Sequence, residues 1–308
     1  MTQTDHDLII IGGGPAGLAA GLNAARARLD VVLVEKVSPG GQVLTTDWIE
    51  NYPGFVEGLS GADLVDKLTA QAKRFDLPVV SGEVERLETG TAVHQVHLAD
   101  RTLRARSVII ATGASPRRLG VPGEAEFFGK GVSTCATCDA PFYRDRVVAA
   151  VGGGDTAVQE SLYLTRFARK VYLIHRRDRL RATAILQERA LAEPKIEILW
   201  DTVVRSMSGL FSVEKITIEN VKSGSQRELE VDGCFVWVGI RPNAGFIDAS
   251  LAVDPWGFIK VDAAMQTSVA GVFVAGDVRE TPLRQIATAV GDAAIAASSA
   301  EQYLAGTQ

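Results

Sequence analysis

Short, wholly apolar runs separated by glycine-rich turns dominate the chain. Leu8-Ile9-Ile10-Ile11 has no polar face, which predicts a strand buried on both sides. Gly12-Gly13-Gly14-Pro15-Ala16-Gly17 follows, and the Ala- and Leu-rich stretch from Leu18 to Arg28 suits a helix. Val31-Val32-Leu33-Val34 is a second apolar run and closes on Glu35. Strand, glycine turn, helix, strand and terminal acid make the βαβ order of a nucleotide-binding unit and predict a parallel sheet. The order returns at Val147-Val148-Ala149-Ala150-Val151, Gly152-Gly153-Gly154-Asp155-Thr156-Ala157, a helical stretch over 158–167, and the strand Val171-Tyr172-Leu173-Ile174. Two further strands run into glycine, Val108 to Gly113 and Val272 to Gly276. The pattern is that of an α/β protein with two dinucleotide-binding domains.

Composition narrows the class. The 308 residues are a prior for two domains, and 46% hydrophobic with 22% charged residues is ordinary for a folded globular chain. A net charge of −5 gives no global basic footprint, so nucleic acid is not an expected partner. No apolar run approaches the roughly 20 residues of a membrane helix. Met1 to Asp7 lacks the basic start of a secretory signal, so a cytoplasmic protein is expected. Proline marks two candidate crossovers between domains, Ser115–Gly123 and Gly239–Asn243.

Each glycine turn carries its own chemistry. Gly12, Gly14 and Gly17 occupy the G-x-G-x-x-G positions, and the helix that opens over Pro15 and Ala16 offers free N–H groups to a pyrophosphate. The Glu35 carboxylate suits ribose hydroxyls. In the second unit Gly152, Gly154 and Ala157 take those positions, but the strand ends in His175-Arg176-Arg177, with Arg181 a turn further on. Arginine forks pair with phosphate where a carboxylate would repel it, so this site is expected to prefer NADP(H) to NAD(H). The plainer alternative is a solvated basic helix start. His175 is read as a wall of the adenine pocket. An acid-terminated site suited to FAD and an arginine-terminated site suited to NADPH, in one chain, imply hydride transfer between them.

Cysteine is scarce, with three residues, and two of them stand in Cys135-Ala136-Thr137-Cys138-Asp139. Zinc would need two further ligands from Cys234, His6, His94, His97 and His175. His94 and His97 lie in a stretch that alternates like a strand and would face opposite sides, so no metal is expected. Two unrelated structural thiols are a further alternative, and a redox-active disulfide is the reading the pair favours. Asp139 is either a general acid for a leaving thiolate or a helix cap. Cys234, inside the apolar run Gly233 to Val238, is read as a buried small hydrophobe.

Together these segments resemble the low-molecular-weight, bacterial and archaeal type of NADPH-dependent thioredoxin reductase. The resemblance is carried by Gly12 to Gly17, Gly40-Gly41-Gln42, Asn51-Tyr52-Pro53-Gly54, Ala111-Thr112-Gly113-Ala114, Cys135 to Asp139, Gly152 to Ala157, His175 to Asp178 and Gly276-Asp277-Val278. It implies two Rossmann-like three-layer ββα domains: an FAD domain from 1–115 and 242–308, and an inserted NADPH domain over 116–241. It implies a homodimer with FAD held tightly but without a covalent bond. Glu35, Lys36, Gly40, Gly41 and Gln42 would line the flavin nucleotide, with Gly276, Asp277, Arg284, Gln285 and Ile286 opposite and Asn51, Ala111, Thr112 and Gly113 adding contacts. Gly154, Asp155 and Thr156 would lie near the NADPH pyrophosphate, and Arg176, Arg177 and Arg181 would take the 2′-phosphate. Cys138 would face the flavin, Cys135 would attack thioredoxin, and Asp139 would be the general acid, with a swing of the NADPH domain between the half-reactions. Lys130 and Phe142 are expected near the partner groove. Pro141 departs from the family pattern, and Arg241 has no functional account. A ferredoxin–NADP reductase of the same fold would lack the cysteine pair.

Overall fold

The computed structural model describes residues 4–46 and 48–306. In chain order the elements are β1 (His6–Ile11), α1 (Pro15–Arg26), β2 (Val31–Glu35), a 3₁₀ turn (Gly41–Thr45), α2 (Gly61–Lys73), β3 (Val79–Ser81), β4 (Val84–Glu88), β5 (His94–Leu98), β6 (Thr102–Ile110) and β7 (Ala114–Pro116). Then come β8 (Val132–Ser133), α3 (Ala136–Asp139), a 3₁₀ turn (Ala140–Tyr143), β9 (Val147–Gly152), α4 (Asp155–Leu164), β10 (Lys170–Ile174), α5 (Ala184–Ala192), β11 (Ile196–Leu199), β12 (Thr202–Ser208), β13 (Lys215–Asn220), β14 (Gln226–Glu230) and β15 (Gly233–Trp237). The chain ends through β16 (Ile240–Pro242), β17 (Val272–Val274) and α6 (Ile286–Gly306). Two compact units result, Met1–Ser115 with Arg241–Gln308, and Pro116–Ile240, so Arg241 goes with the first unit. The crossing strands β7 and β16 pair with each other.

In the first unit the sheet runs β3-β2-β1-β6-β5-β4, and β17 pairs with β6. The pairings among β3, β2, β1, β6 and β17 are parallel, and β6, β5 and β4 are antiparallel. The apolar run of β1 is buried on both faces because both are covered. Leu8 and Ile10 pack with Ala16, Ala20 and the α6 alanines, and Ile9 and Ile11 pack with Leu87, Val96 and Ile259. Helix α1 starts at Pro15, earlier than the apolar pattern suggests. Proline's fixed φ suits the first helical position, where its missing N–H costs nothing.

In the second unit a parallel sheet runs β11-β10-β9-β15-β8, and β12-β13-β14 form an antiparallel meander. Alternate residues of β9 and β15 serve two cores. Val148, Ala150 and Phe235 pack with Val158 and Leu164 of α4, while Ala149, Val151 and Cys234 pack with Val204, Ile216 and Leu229 of the meander. Helix, parallel sheet and meander are the three layers expected from the sequence. Among the described residues no helix is long and apolar enough to cross a membrane.

Candidate active site

The first glycine turn opens a cavity in the first unit. Gly12 sits at φ +102, and a Cβ there would lie 2.6 Å from the Ala111 carbonyl oxygen, so strand β6 runs hard against the turn. A methyl on Gly17 would land on the Gly12 carbonyl oxygen, which is why α1 can pack so close to β1. Gly14 precedes α1 without a side-chain cap, leaving the first-turn N–H groups for an anion. Glu35, at the end of β2, is fastened through both oxygens. Its Oε2 accepts the Gly13 N–H (2.7 Å) and its Oε1 the Val37 N–H (3.0 Å).

The cavity measures about 840 Å³, within the range of nucleotide-sized sites. Gly12, Gly14, Pro15, Ala16, Glu35, Lys36, Gly41, Gln42, Ala111, Thr112, Gly113, Gly276, Asp277, Gln285 and Ile286 all line it. Gly17, Gly40, Asn51 and Arg284 are not part of that lining. The Gly40 N–H donates to the Gly13 carbonyl (2.7 Å), and Asn51 Nδ2 donates to Gln285 Oε1 (2.9 Å). The Arg284 guanidinium lies 4.1 Å from the centre of the Phe258 ring. Burial pushes the Asp277 carboxyl above its ordinary value, against the pull of Arg284. The backbone beside it is braced from α6. Asp292 Oδ2 accepts from Arg279 Nε (2.6 Å) and Gly276 N–H (3.2 Å), and Oδ1 accepts from Arg279 Nη2 (2.7 Å).

The second glycine turn joins β9 to α4. Asp155 opens α4, and its Oδ1 accepts the Thr183 N–H (2.7 Å), while the Arg181 N–H donates to the Gly153 carbonyl (2.6 Å). These bonds fold the segment after β10 back onto the turn. Arg176, Arg177 and Arg181 are exposed, and none of them is ion-paired among the described residues. His175 is buried: its ring lies against Gly153, and Nδ1 bonds the Gly152 carbonyl (2.9 Å). Burial lowers its pKa, backbone hydrogen bonds oppose that, and Arg181 and Arg177 add to the lowering.

Cys135 and Cys138 form a disulfide across one turn of α3. The Cys138 N–H donates to Cys135 Sγ (3.2 Å), placing a donor where charge develops if the bond opens. Cys138 is exposed and Cys135 half-buried, and the Cys135 N–H is held by Ser133 Oγ (3.0 Å). Trp237 Nε1 donates to the Thr134 carbonyl (3.0 Å), anchoring the segment to β15. Asp139 follows Cys138 in the chain and is half-buried, and Phe142 and Lys130 are exposed. Cys234 lies wholly buried in β15. His94 is buried and His97 half-exposed on opposite sides of β5.

Comparison with known proteins decides among the flavin-linked readings. Residues 6–293 match the pyridine nucleotide-disulphide oxidoreductase family. The chain is 43% identical over 303 residues to the thioredoxin reductase of Listeria monocytogenes, covering 97% of this chain and 94% of that one. It is 41% identical over 302 residues to the thioredoxin reductase of Bacillus subtilis, covering 97% and 95%. The chain belongs to the thioredoxin reductase family. Among solved structures, the Lactococcus lactis thioredoxin reductase matches with a TM-score of 0.96 and 40% identity, over 98% of this chain and all (100%) of that one.

Several residues around the family's cavity had no motif to announce them. Gly82 to Glu85, running from the end of β3 into β4, form one wall, and Asn243, Gly245 and Phe246 another. Asn243 accepts from Thr112 Oγ1 through its carbonyl (2.7 Å), and its Nδ2 donates to the Thr112 carbonyl (2.9 Å). An isolated asparagine after Gly-Ile-Arg-Pro shows in the sequence only as a polar residue in a crossover.

Proposed function

We propose that the chain is a thioredoxin-disulfide reductase that uses NADPH as reductant and FAD as its bound cofactor. The observation that carries this is the Cys135–Cys138 disulfide, with Asp139 beside it, in the same unit as a glycine turn ending in free arginines. The first cavity fits a flavin dinucleotide. A Cβ on Gly14 would meet nothing within 4 Å, so backbone lies open to the cavity at the position where a pyrophosphate needs it. When bound, a flavin supplies a two-electron link between a nicotinamide and a disulfide.

The chain's own residues then have defined tasks. The first turn of α1 holds the pyrophosphate and Glu35 the ribose. Asp277 and the Gln285–Asn51 pair orient the far end of the cofactor. Arg176, Arg177 and Arg181 bind the 2′-phosphate. Two electrons and two protons convert the Cys135–Cys138 bond into a dithiol. The Cys135 thiolate attacks the thioredoxin disulfide, giving a mixed disulfide and one free thioredoxin thiol. Cys138 then attacks Cys135 Sγ, which re-forms the internal bond and releases the second thiol, and Asp139 supplies protons to leaving sulfur. Because Cys138 must meet both cofactor and partner chemistry, movement of the second unit between half-reactions is part of the proposal. The resemblance also supports a homodimer, and the scarcity of cysteine supports a cytoplasmic setting.

A coupled assay with NADPH and oxidised thioredoxin tests the function. Thioredoxin reduction is expected, with loss in Cys138→Ser while NADPH still bleaches the flavin. Failure to reduce any thioredoxin, or equal efficiency with NADH, would sink the proposal.

A further inference from the structure

The arginine run of the second unit has two acids against it. Asp178 lies within the run, and the Asp201 N–H donates to the Arg177 carbonyl (3.2 Å). Either carboxylate could pair with a neighbouring guanidinium and so compete with a phosphate. Both instead face a different cation. Lys222 Nζ lies 2.8 Å from Asp201 Oδ2 and 3.9 Å from Asp178 Oδ2.

The turn between β13 and β14 is built to deliver that lysine. Asn220 Oδ1 accepts the N–H groups of Lys222 (3.1 Å) and Ser223 (3.0 Å), and the Gly224 N–H closes on the Asn220 carbonyl (2.8 Å). The Val221 N–H donates to the Asp201 carbonyl (2.7 Å). Turn, Asp201 and Arg177 backbone are therefore linked in series, with the Lys222 ammonium at the side where the acids lie.

We propose that Lys222 is a specificity-determining residue that acts by position: it occupies Asp178 and Asp201 and so leaves Arg176, Arg177 and Arg181 unpaired for the 2′-phosphate of NADPH. This rests on the NADPH reading above. Removing the ammonium uncovers two negative charges on the segments that carry and contact Arg177, and both repel a phosphate bound by the arginines. At solvent-like dielectric that weakens phosphate binding about threefold to tenfold. A ligand without the 2′-phosphate does not sense the change.

The test uses the full-length, flavin-loaded protein and two probes, 2′,5′-ADP and 5′-AMP, titrated by calorimetry, with KM and kcat for NADPH measured beside them. Lys222→Met is expected to weaken 2′,5′-ADP and raise the NADPH KM by about threefold to tenfold. 5′-AMP affinity and kcat are expected to hold, which also reports an intact fold. Lys222→Arg is expected to restore both. The triple variant Lys222→Met/Asp178→Asn/Asp201→Asn is expected to recover tight 2′,5′-ADP binding, since asparagine accepts the left-handed backbone of Asp201 (φ +51). Unchanged 2′,5′-ADP binding in Lys222→Met overturns the inference. So does a triple variant that stays weak, because Lys222 would then touch the phosphate itself. A wild type that binds the two probes alike refutes the NADPH reading, and the role of Lys222 falls with it.

Discussion

The Arg279–Asp292 pair offers a direct test of how the first unit's cavity is held. The perturbation is Asp292→Asn, which keeps shape and removes charge. The two side chains are 15% and 9% exposed, and the carboxylate accepts two bonds from the guanidinium and one from the Gly276 N–H. Asparagine can satisfy one of the guanidinium bonds but turns its own donor toward the other, leaving a cation without its counterion. Breaking a buried pair from one side costs about 3–5 kcal/mol, and residual solvent contact puts this one at the lower end, about 3 kcal/mol. For a unit of this size that is a fall in Tm of ~6–12 °C. Scanning calorimetry reads it, with the transition that shifts on FAD addition assigned to the first unit. Arg279→Gln/Asp292→Asn is expected to lie closer to wild type than Asp292→Asn alone, because the unpaired guanidinium is the source of the cost. A single-variant shift under about 2 °C would refute the reasoning and show that water already compensates both charges.

Two further predictions concern buried groups. Burial pushes the Cys234 thiol up to about 12, so iodoacetamide should label two cysteines of the native reduced protein and reach the third only after unfolding; fast labelling of Cys234 would contradict its place in β15. Burial lowers the pKa of His94 and His175 below the unfolded value of about 6.5, so their contribution to stability is full above that pH and is lost as pH falls through their folded values. His94→Gln/His175→Gln should therefore flatten the loss of Tm as pH falls below about 6.5, and an unchanged slope would show that other groups carry it.

Legibility in the sequence followed contiguity. The glycine turns and the cysteine pair are continuous segments whose chemistry depends on immediate neighbours, so fold class and family could be read from segments such as Gly12 to Gly17, Cys135 to Asp139 and Gly152 to Ala157. The walls of the cavity could not. Glu83 and Glu85 reach the cavity because β3 pairs with β2 and the Gly82 N–H docks on the Glu35 carbonyl (3.0 Å), a relation between distant residues. His175 shows what neighbours in sequence do not reveal: the absence of a side chain on Gly153 lets its ring pack beneath the turn. The meander left a usable signal: in β13, Ile216 and Ile218 are buried between more exposed neighbours.

Each unit also closes on its own loose ends. Within Pro116–Ile240 the Arg117 N–H meets the Gly239 carbonyl (2.8 Å), and in the other unit the Asn243 N–H meets the Gly113 carbonyl (3.0 Å). The inserted segment thus leaves and re-enters its host through one narrow doorway. In each unit the two chain ends are joined by that unit's own backbone hydrogen bond, so the ends of each lie close together.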